Sequence, residues 1–310
     1  MVMRVVILLM VFLFTATSSV LSKIHYTGKE KVSLINTIEG KNCFISYVQI
    51  KGYTYLLKQK KDYKKQLAVV RDALAAYIAK DLNIAHEIIV IEYKDKFLGK
   101  VKLWWPATLH TIAKGETVRK QRGSKYNALR LRQLWAKAQS FSEKGLTYLI
   151  ISQLPWHRQL AEIVALDLMT GNSDRHCGNL CYDPTTDTFC AIDMDDTFNK
   201  DLCLLACKKL KYMMHDDVMF TQEEVDALNH MKRTLKFLVH KHRPKDLIEK
   251  LYYFAKKAGF SKGNDLYNDR IRRKLIYYEK MIIQTNESAY QLISLLDKII
   301  KHKSLKINQS

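Results

Sequence analysis

The sequence predicts an α+β protein in which a small strand-rich lobe precedes a larger helical lobe. Residues 31–105 hold short segments rich in β-branched and aromatic residues, separated by glycine-containing turns and interrupted by one amphipathic helix. From about residue 106 onward, apolar residues recur at helical spacing. A chain of 310 residues with 47% hydrophobic content is long and apolar enough for two lobes that share a cleft.

The first 22 residues have the layout of a secretory signal peptide. A short basic start is followed by the apolar run 5–14 and then by small and polar residues up to Ser22. The run is shorter than a membrane-spanning helix requires. We expect cleavage before Lys23 and a protein that is secreted, held in the secretory-pathway lumen or exported into a host cell. The alternatives are an uncleaved anchor and an amino-terminal element of the fold.

The small lobe is predicted to contain five strands and one helix. Alternating apolar residues and intervening glycine turns indicate strands at 32–39, 43–50, 53–58, 86–93 and 97–105. The spacing of apolar residues over 65–82 indicates an amphipathic, alanine-rich helix between the third and fourth strands. We therefore place the end of the small lobe at residue 105.

The helical lobe is predicted to hold a hairpin between its helices. Helical spacing indicates helices at 127–141, 158–169, 244–258, 266–283 and 288–302. A capping box at 221–224 marks the start of another helix. Loops and a short hairpin are expected between Gly171 and Phe198.

The formal net charge of +20 favours phosphate-rich partners such as nucleotides, acidic proteins, anionic lipid headgroups or nucleic acid. Nine basic residues lie within 114–144, which is either a face for an anionic membrane surface or a solvated helical face. The sequence contains no zinc finger, helix-turn-helix or glycine-aromatic RNA-binding motif, so we expect no specific nucleic-acid partner.

Six cysteines follow the predicted signal peptide, an even number that permits disulfides. Cys181 and Cys190 flank a turn-forming segment, so a bridge across the hairpin and free thiols both remain open. No paired C-x-x-C completes a zinc site.

Two segments carry the chemistry, Gly171-Asn172-Ser173-Asp174-Arg175-His176-Cys177-Gly178-Asn179-Leu180 and Ala191-Ile192-Asp193-Met194-Asp195-Asp196-Thr197-Phe198. Phosphoryl transfer requires oxygen ligands for magnesium, a carboxylate to orient the attacking hydroxyl, and a cation to hold the phosphates. Protein kinases place an Asp, an Asn five residues later, and a second Asp beyond a hairpin. Asp174, Asn179 and Asp193 have this order and spacing.

The cation is predicted in the small lobe. Lys58 ends the apolar strand Tyr55-Leu56-Leu57-Lys58, and Asp72 on the following helix is the carboxylate expected to pair with it. The alternative for Lys58 is a surface lysine in a lysine-rich stretch that includes Lys60.

These segments resemble the catalytic and metal-binding loops of the atypical kinases, which include the phosphoinositide 3/4-kinases, actin-fragmin kinase and HipA-like kinases. The resemblance implies a two-lobed protein-kinase-like fold that uses ATP with Mg²⁺, or Mn²⁺ in its place. Residues 23–105 would form the ATP-binding lobe. Residues 106–310 would form the helical lobe, with a catalytic loop at 171–180 and a metal-binding loop at 191–198.

The resemblance also implies roles for single residues. Asp174 would be the catalytic carboxylate and Asn179 and Asp193 the metal ligands, while Lys58, Asp72 and Gly40 would bind the nucleotide. Arg175 would fix the loop, His176 would be a structural hydrogen-bonding residue, and Asp195 and Asp196 would either add to the metal site or cap the next turn.

The implied function is ATP-dependent transfer of the γ-phosphate to a hydroxyl of a protein or of an inositol lipid. Three departures from the pattern matter: there is no Gly-x-Gly-x-x-Gly, Asp72 replaces a Glu, and Asp195 replaces a Gly. The alternative is therefore a pseudokinase that acts as a nucleotide- or partner-binding module.

Overall fold

A computed structural model of the chain describes residues 26, 30–39, 43–60, 66–85, 87–91, 97–98, 101–102, 106–120, 157–176, 178–215, 222–260 and 266–307. Several predictions lie outside these described residues: the signal peptide 1–22, the nucleotide-binding role of Gly40, the helix 127–141, the capping residue Thr221 and most of the basic run 114–144.

The small lobe is built on a five-stranded antiparallel sheet with the order β1-β2-β3-β7-β4. Its strands are β1 (Val32–Glu39), β2 (Cys43–Ile50), β3 (Tyr53–Lys60), β4 (Ile88–Ile91) and β7 (Ala107–His110). The first three confirm the predicted strands, and β3 continues to Lys60. The predicted strand 97–105 contains instead two short paired strands, β5 (Phe97–Leu98) and β6 (Val101–Lys102).

Strand β7 is a correction to the prediction that the chain becomes helical after Pro106. Its four residues are all buried, and it pairs with β3 on one side and β4 on the other. Thr108 and His110 interrupt the apolar pattern, so neither the helical nor the strand periodicity of apolar residues is recognisable in so short a segment. Pairing with two neighbours decides its conformation, and the sheet extends past the predicted lobe end at residue 105.

Helix α1 (Ala68–Ala79) lies within the predicted helix 65–82 and is followed by the 3-10 turn Lys80–Leu82. Its buried residues join the hydrophobic core of the helical lobe. A separate, smaller cluster fills the sheet, with Val48, Tyr55 and Leu109 among its members. Helix α1 thus lies between β3 and β4 in the chain, and most of its buried apolar residues share a core with the helical lobe.

The helical lobe contains α2 (Arg158–Thr170), α3 (Leu202–His215), α4 (Gln222–Lys241), α5 (Pro244–Lys257) and α6 (Leu266–Ile307). Helices α2 and α5 confirm the predicted ones. No helix within the described residues is long and apolar enough to cross a membrane.

Helix α6 is one continuous helix where two were predicted. Residues 284–287 separated the two predicted helices, but Thr285 and Asn286 in this gap are buried. The helix therefore packs against the protein through this segment, and Ser288 Oγ just after it donates to Asp201 Oδ2 at 2.6 Å.

A three-stranded sheet in the helical lobe carries the predicted hairpin, with the order β10-β9-β8. Its strands are β8 (Glu116–Thr117), β9 (Leu180–Asp183) and β10 (Thr188–Ala191). Cys181 and Cys190 lie directly opposite each other in the hairpin register, as predicted, and both are free thiols.

Candidate active site

The loop after α2 begins at a glycine that the packing requires. Gly171 has a φ of 63° and closes α2, with its N–H bonded to the carbonyl of Asp167. A Cβ at this position would overlap the backbone carbonyl oxygen of Lys200. The carbonyl of Thr170 also accepts a hydrogen bond from the N–H of Phe198 at 2.5 Å. These contacts join the start of loop 171–180 to the end of loop 191–198.

Arg175 ties the same two loops together from inside. Its Nε and Nη2 donate to the two carboxylate oxygens of Asp167, both at 3.0 Å. Its Nη1 donates to the carbonyl of Ile192 at 2.7 Å and also bonds the carbonyl of Asn179. The prediction that Arg175 pairs with acidic and backbone groups to fix the loop is confirmed.

Asp174 and Asn179 are brought into contact by this loop. Asn179 Nδ2 donates to the carbonyl of Asp174 at 2.9 Å and lies 3.4 Å from its Oδ2. Asn179 is buried, whereas the side chain of Asp174 is 49% exposed, so a molecule in the solvent can contact the Asp174 carboxylate. Burial and the nearby carboxylates of Asp196, Asp193 and Asp195 raise the pKa of Asp174, while His176 opposes the rise.

Asp193 follows the hairpin with a strained backbone. Its φ of 52° lies in the left-handed region that most side chains avoid, and such strain concentrates at functional sites. Two hydrogen bonds hold the preceding residues: the N–H of Ala191 to the carbonyl of Ile84 at 2.7 Å, and that of Ile192 to the carbonyl of Asn179 at 3.1 Å. The side chain of Asp193 is 43% exposed.

Lys58 reaches from the sheet to this loop. Its Nζ forms an ion pair with Asp193 Oδ1, lies 2.8 Å from Asp195 Oδ2 and lies 3.7 Å from Asp72 Oδ2. Asp72 is fully buried on α1, and its Oδ1 accepts a hydrogen bond from the N–H of Met194 at 3.1 Å. The structure therefore brings Lys58, Asp72 and Asp193 together.

Lys58 and the buried carboxylate of Asp72 shift each other's pKa. Burial by itself would lower the pKa of Lys58, but the carboxylates of Asp72, Asp193 and Asp195 raise it well above its ordinary value, so the ammonium keeps its charge. Burial raises the pKa of Asp72, and the attraction of Lys58 only partly offsets this.

Two residues that the sequence analysis did not assign to the nucleotide lie in the same cluster. Lys60, predicted only as a member of a lysine-rich surface stretch, is buried and forms an ion pair with Asp195. His110, at the end of β7, has its Nε2 3.6 Å from Asp72 Oδ2. The sequence could have indicated Lys60, because it lies two residues after Lys58 and residues two apart share one face of a strand. No feature of the neighbouring sequence indicated His110.

The remaining polar residues of the loops hold the loops in place. His176 Nδ1 accepts a hydrogen bond from the N–H of Gly178 at 2.9 Å, which confirms its structural role. Asp196 accepts hydrogen bonds from Ser173 Oγ at 2.9 Å and from Asn199 Nδ2 at 2.5 Å. Asp195 forms ion pairs with Lys58 and Lys60.

The cluster and the neighbouring Asn179 offer oxygen atoms that a divalent cation could bind. Lys58 and Lys60 face three carboxylates, those of Asp72, Asp193 and Asp195, so negative charge is in excess. Asp72 Oδ2 is buried without a hydrogen bond. Carboxylate and amide oxygens are the ligands that Mg²⁺ prefers, and it takes only one or two protein carboxylates. Among the described residues no group of three or more His, Cys, Asp or Glu side chains is placed to hold a metal, and the assignment of Asn179 and Asp193 as metal ligands stays a prediction.

Lys58 on a strand, Asp72 on the next helix and Asp193 after the hairpin lie close together here, near the Asp174–Asn179 pair. This is the arrangement that the resemblance to the atypical kinases implied, and the two-lobed α+β fold is the predicted one. The closer resemblance to phosphoinositide 3/4-kinases stays a prediction, as does the role of Gly40.

No protein-family model matches the chain, and no curated protein matches it either. Among solved structures it is similar to the Helicobacter pylori proinflammatory kinase CtkA, with 13% identity and a TM-score of 0.45 over 85% of this chain and 97% of that one. It is also similar to the Rio2 kinase of Chaetomium thermophilum in complex with ADP/Mg²⁺ and phosphoaspartate, with 13% identity and a TM-score of 0.34 over 83% and 72% of the two chains. A third similar structure is the Cydia pomonella granulovirus kinase PK-1, with 12% identity and a TM-score of 0.33 over 82% and 92%.

Proposed function

We propose that the chain is an ATP-dependent phosphotransferase that transfers the γ-phosphate to a hydroxyl group of a protein. The observation that carries the proposal is the meeting of Lys58 from β3, Asp72 from α1 and Asp193 from the loop after the hairpin, next to the Asp174–Asn179 pair. An ordinary polar loop does not require a buried lysine from a separate lobe, because burying an ammonium group is costly.

Each side chain has a distinct task in this reaction. Lys58 would hold phosphate oxygens by its ammonium charge, and Asp72 would orient that ammonium from its buried position. Asn179 and Asp193 would hold Mg²⁺, which supplies positive charge to the phosphates when it is bound. Asp174 is exposed enough to accept a hydrogen bond from the acceptor hydroxyl and to take its proton.

The test is phosphate transfer from radiolabelled ATP by the full-length chain in the presence of Mg²⁺. We expect Asp174→Asn, Asp193→Asn and Lys58→Met each to lower the rate by about 100-fold or more, the range in which catalytic acid–base and charge-stabilising groups act. Matched controls are Asp297→Asn, whose carboxylate is 60% exposed on α6, and Lys51→Met, whose side chain is 57% exposed; both should stay within about twofold of wild type.

The acceptor is identified in two arms of the same assay. One arm offers a mixture of dephosphorylated proteins and the other offers phosphatidylinositol vesicles. Labelled protein without labelled lipid supports the proposal, and labelled lipid alone would replace the protein acceptor with an inositol lipid. Nucleotide binding without transfer in either arm would identify the chain as a pseudokinase, and unchanged turnover in the three site variants would reject the site.

The localisation is a separate proposal, carried by the apolar run 5–14 and the small residues that follow it. We propose that residues 1–22 are removed during export. Amino-terminal sequencing of the protein recovered from the medium or the secretory lumen should begin at Lys23, and a chain that still begins at Met1 would contradict this.

A further inference from the structure

A second lysine of β3 lies beside Lys58 in the cleft. Residues two apart on a strand point to the same face of the sheet, so Lys58 and Lys60 project together while Gln59 projects to the opposite face. The side chain of Lys60 is 10% exposed, compared with 57% for Lys51 at the start of the turn before β3. Lysine is seldom buried without an anionic partner, and the partner here is Asp195.

The two ammonium groups converge on a single oxygen atom. Lys58 Nζ lies 2.8 Å from Asp195 Oδ2, and Lys60 Nζ forms an ion pair with the same Oδ2. Two ammonium groups that lie around one anionic oxygen are placed to bind the oxygens of a single anionic group. Phosphate groups, which present several anionic oxygens in a small volume, are ligands that lysine binds in this way as a point charge.

The position of Lys60 in the sheet points to the phosphate end of a nucleotide. Lys60 pairs with Cys43, the first residue of β2, so it lies at the end of the sheet where β1 ends and β2 begins. Lys58 pairs with Ile45, farther along β2 from that end. In kinases a glycine-rich turn at this place covers the phosphates, and this sequence has no Gly-x-Gly-x-x-Gly.

We propose that Lys60 is a second phosphate-binding residue, which acts with Lys58 and supplies charge where a glycine-rich turn would supply backbone N–H groups. Asp195 keeps the two ammonium groups together until phosphate oxygens take its place. The inference rests on the proposed function, since it concerns the nucleotide of that site. The contribution of Lys60 increases with the number of phosphates, because Lys60 lies nearer that end of the sheet than Lys58 does.

The test is binding of AMP, ADP and ATP with Mg²⁺ to the full-length chain, measured by calorimetry. Lys60→Gln removes the charge but keeps a hydrogen-bond donor for Asp195. We expect it to weaken ATP binding by about tenfold or more, the loss of one charged interaction, while AMP binding changes by less than about twofold. Lys60→Arg keeps the charge and should restore most of the ATP affinity. Lys51→Met is the matched exposed control and should bind all three nucleotides as the wild type does.

The outcomes separate this inference from the proposed function. Equal affinity of Lys60→Gln and wild type for ATP would make Lys60 only a structural partner of Asp195 and would overturn the inference, with the proposed function intact. An equal loss for AMP and ATP would also overturn it. Wild type that binds no nucleotide would overturn both. Should Lys60→Gln not fold, as judged by its unfolding midpoint, the double variant Lys60→Gln/Asp195→Asn removes both members of the charge pair and takes its place.

Discussion

At the scale of single residues, Arg175 organises the site without belonging to its reactive face. It is buried, its guanidinium holds the buried carboxylate of Asp167 by two hydrogen bonds, and its remaining contacts are to backbone carbonyls of both loops. The planar fork of arginine matches a carboxylate in this way, which lysine cannot do. Arg175 therefore positions Asp174 and Asp193 through its hydrogen bonds to Asp167 and to the backbone carbonyls of Asn179 and Ile192.

The first prediction concerns this pair. Arg175→Met leaves the Asp167 carboxylate buried without its cation, and breaking a buried pair from one side typically costs about 3–5 kcal/mol. We expect a loss of that size in the free energy of unfolding, measured by urea denaturation. The matched control is Arg158→Met, which breaks an arginine–glutamate pair whose arginine is 75% exposed, and should cost about 1 kcal/mol or less. Similar losses in the two variants would contradict the prediction.

At the scale of elements, the end of α2 sets the path of the catalytic loop. Gly171 is in the left-handed conformation and lies so close to the carbonyl of Lys200 that no side chain fits between them. Glycine is favoured here for two separate reasons, the positive φ and the close approach of another backbone segment. The turn at Gly52 has the first property, with a φ of 82°, but has open space around it.

The second prediction uses this difference. Gly52→Ala imposes only the strain of a positive φ and should cost about 1–2 kcal/mol of stability. Gly171→Ala adds an overlap with backbone atoms that cannot move aside easily, so we expect it to cost about 2 kcal/mol more than Gly52→Ala and to lower phosphate transfer as well. Thermal unfolding of the two variants measures the difference, and equal midpoints would show that the loops adjust without cost.

At the scale of the whole molecule, the two hydrophobic cores do not coincide with the amino-terminal and carboxy-terminal parts of the chain. Helix α1 carries Asp72, which lies beside Lys58 of the sheet, yet most of its buried apolar residues belong to the core of the helical lobe. Asp81, directly after α1, forms an ion pair of 2.7 Å with Lys241 at the end of α4. Most of the sheet packs in its own small core, Ile88 of β4 joins the core of the helical lobe, and Lys58 and Lys60 add polar contacts between the two lobes.

The third prediction follows from that division. In native-state hydrogen exchange, the amides of α1 should be protected to the level of α5, with which it shares a core, and above those of β1 and β2. Addition of ATP and Mg²⁺ should increase protection in β1–β3 more than in α1, because ligand contacts order the less stable unit. Protection of α1 that follows the sheet instead of α5 would contradict this.

Much of the site could be predicted from local sequence. Asp174, Asn179 and Asp193 have a spacing that the chemistry demands, and Lys58 ends a strand whose alternation is visible in the sequence. The structure places the pairs that this order implied in contact. Their catalytic roles stay predictions that the variants above test.

What the sequence by itself determined is the succession of a strand-rich part and a helical part, together with the candidate site residues, because both depend on residues that are near in the chain. The tertiary structure alone decided that Ala107–His110 is a strand, since pairing on two sides outweighs a weak local pattern. It also decided that α6 is one helix and that Lys60 is buried beside Asp195. These features depend on contacts between segments that are distant in the chain. The free energy gained by burial and strand pairing in those contacts cannot be read from neighbouring residues.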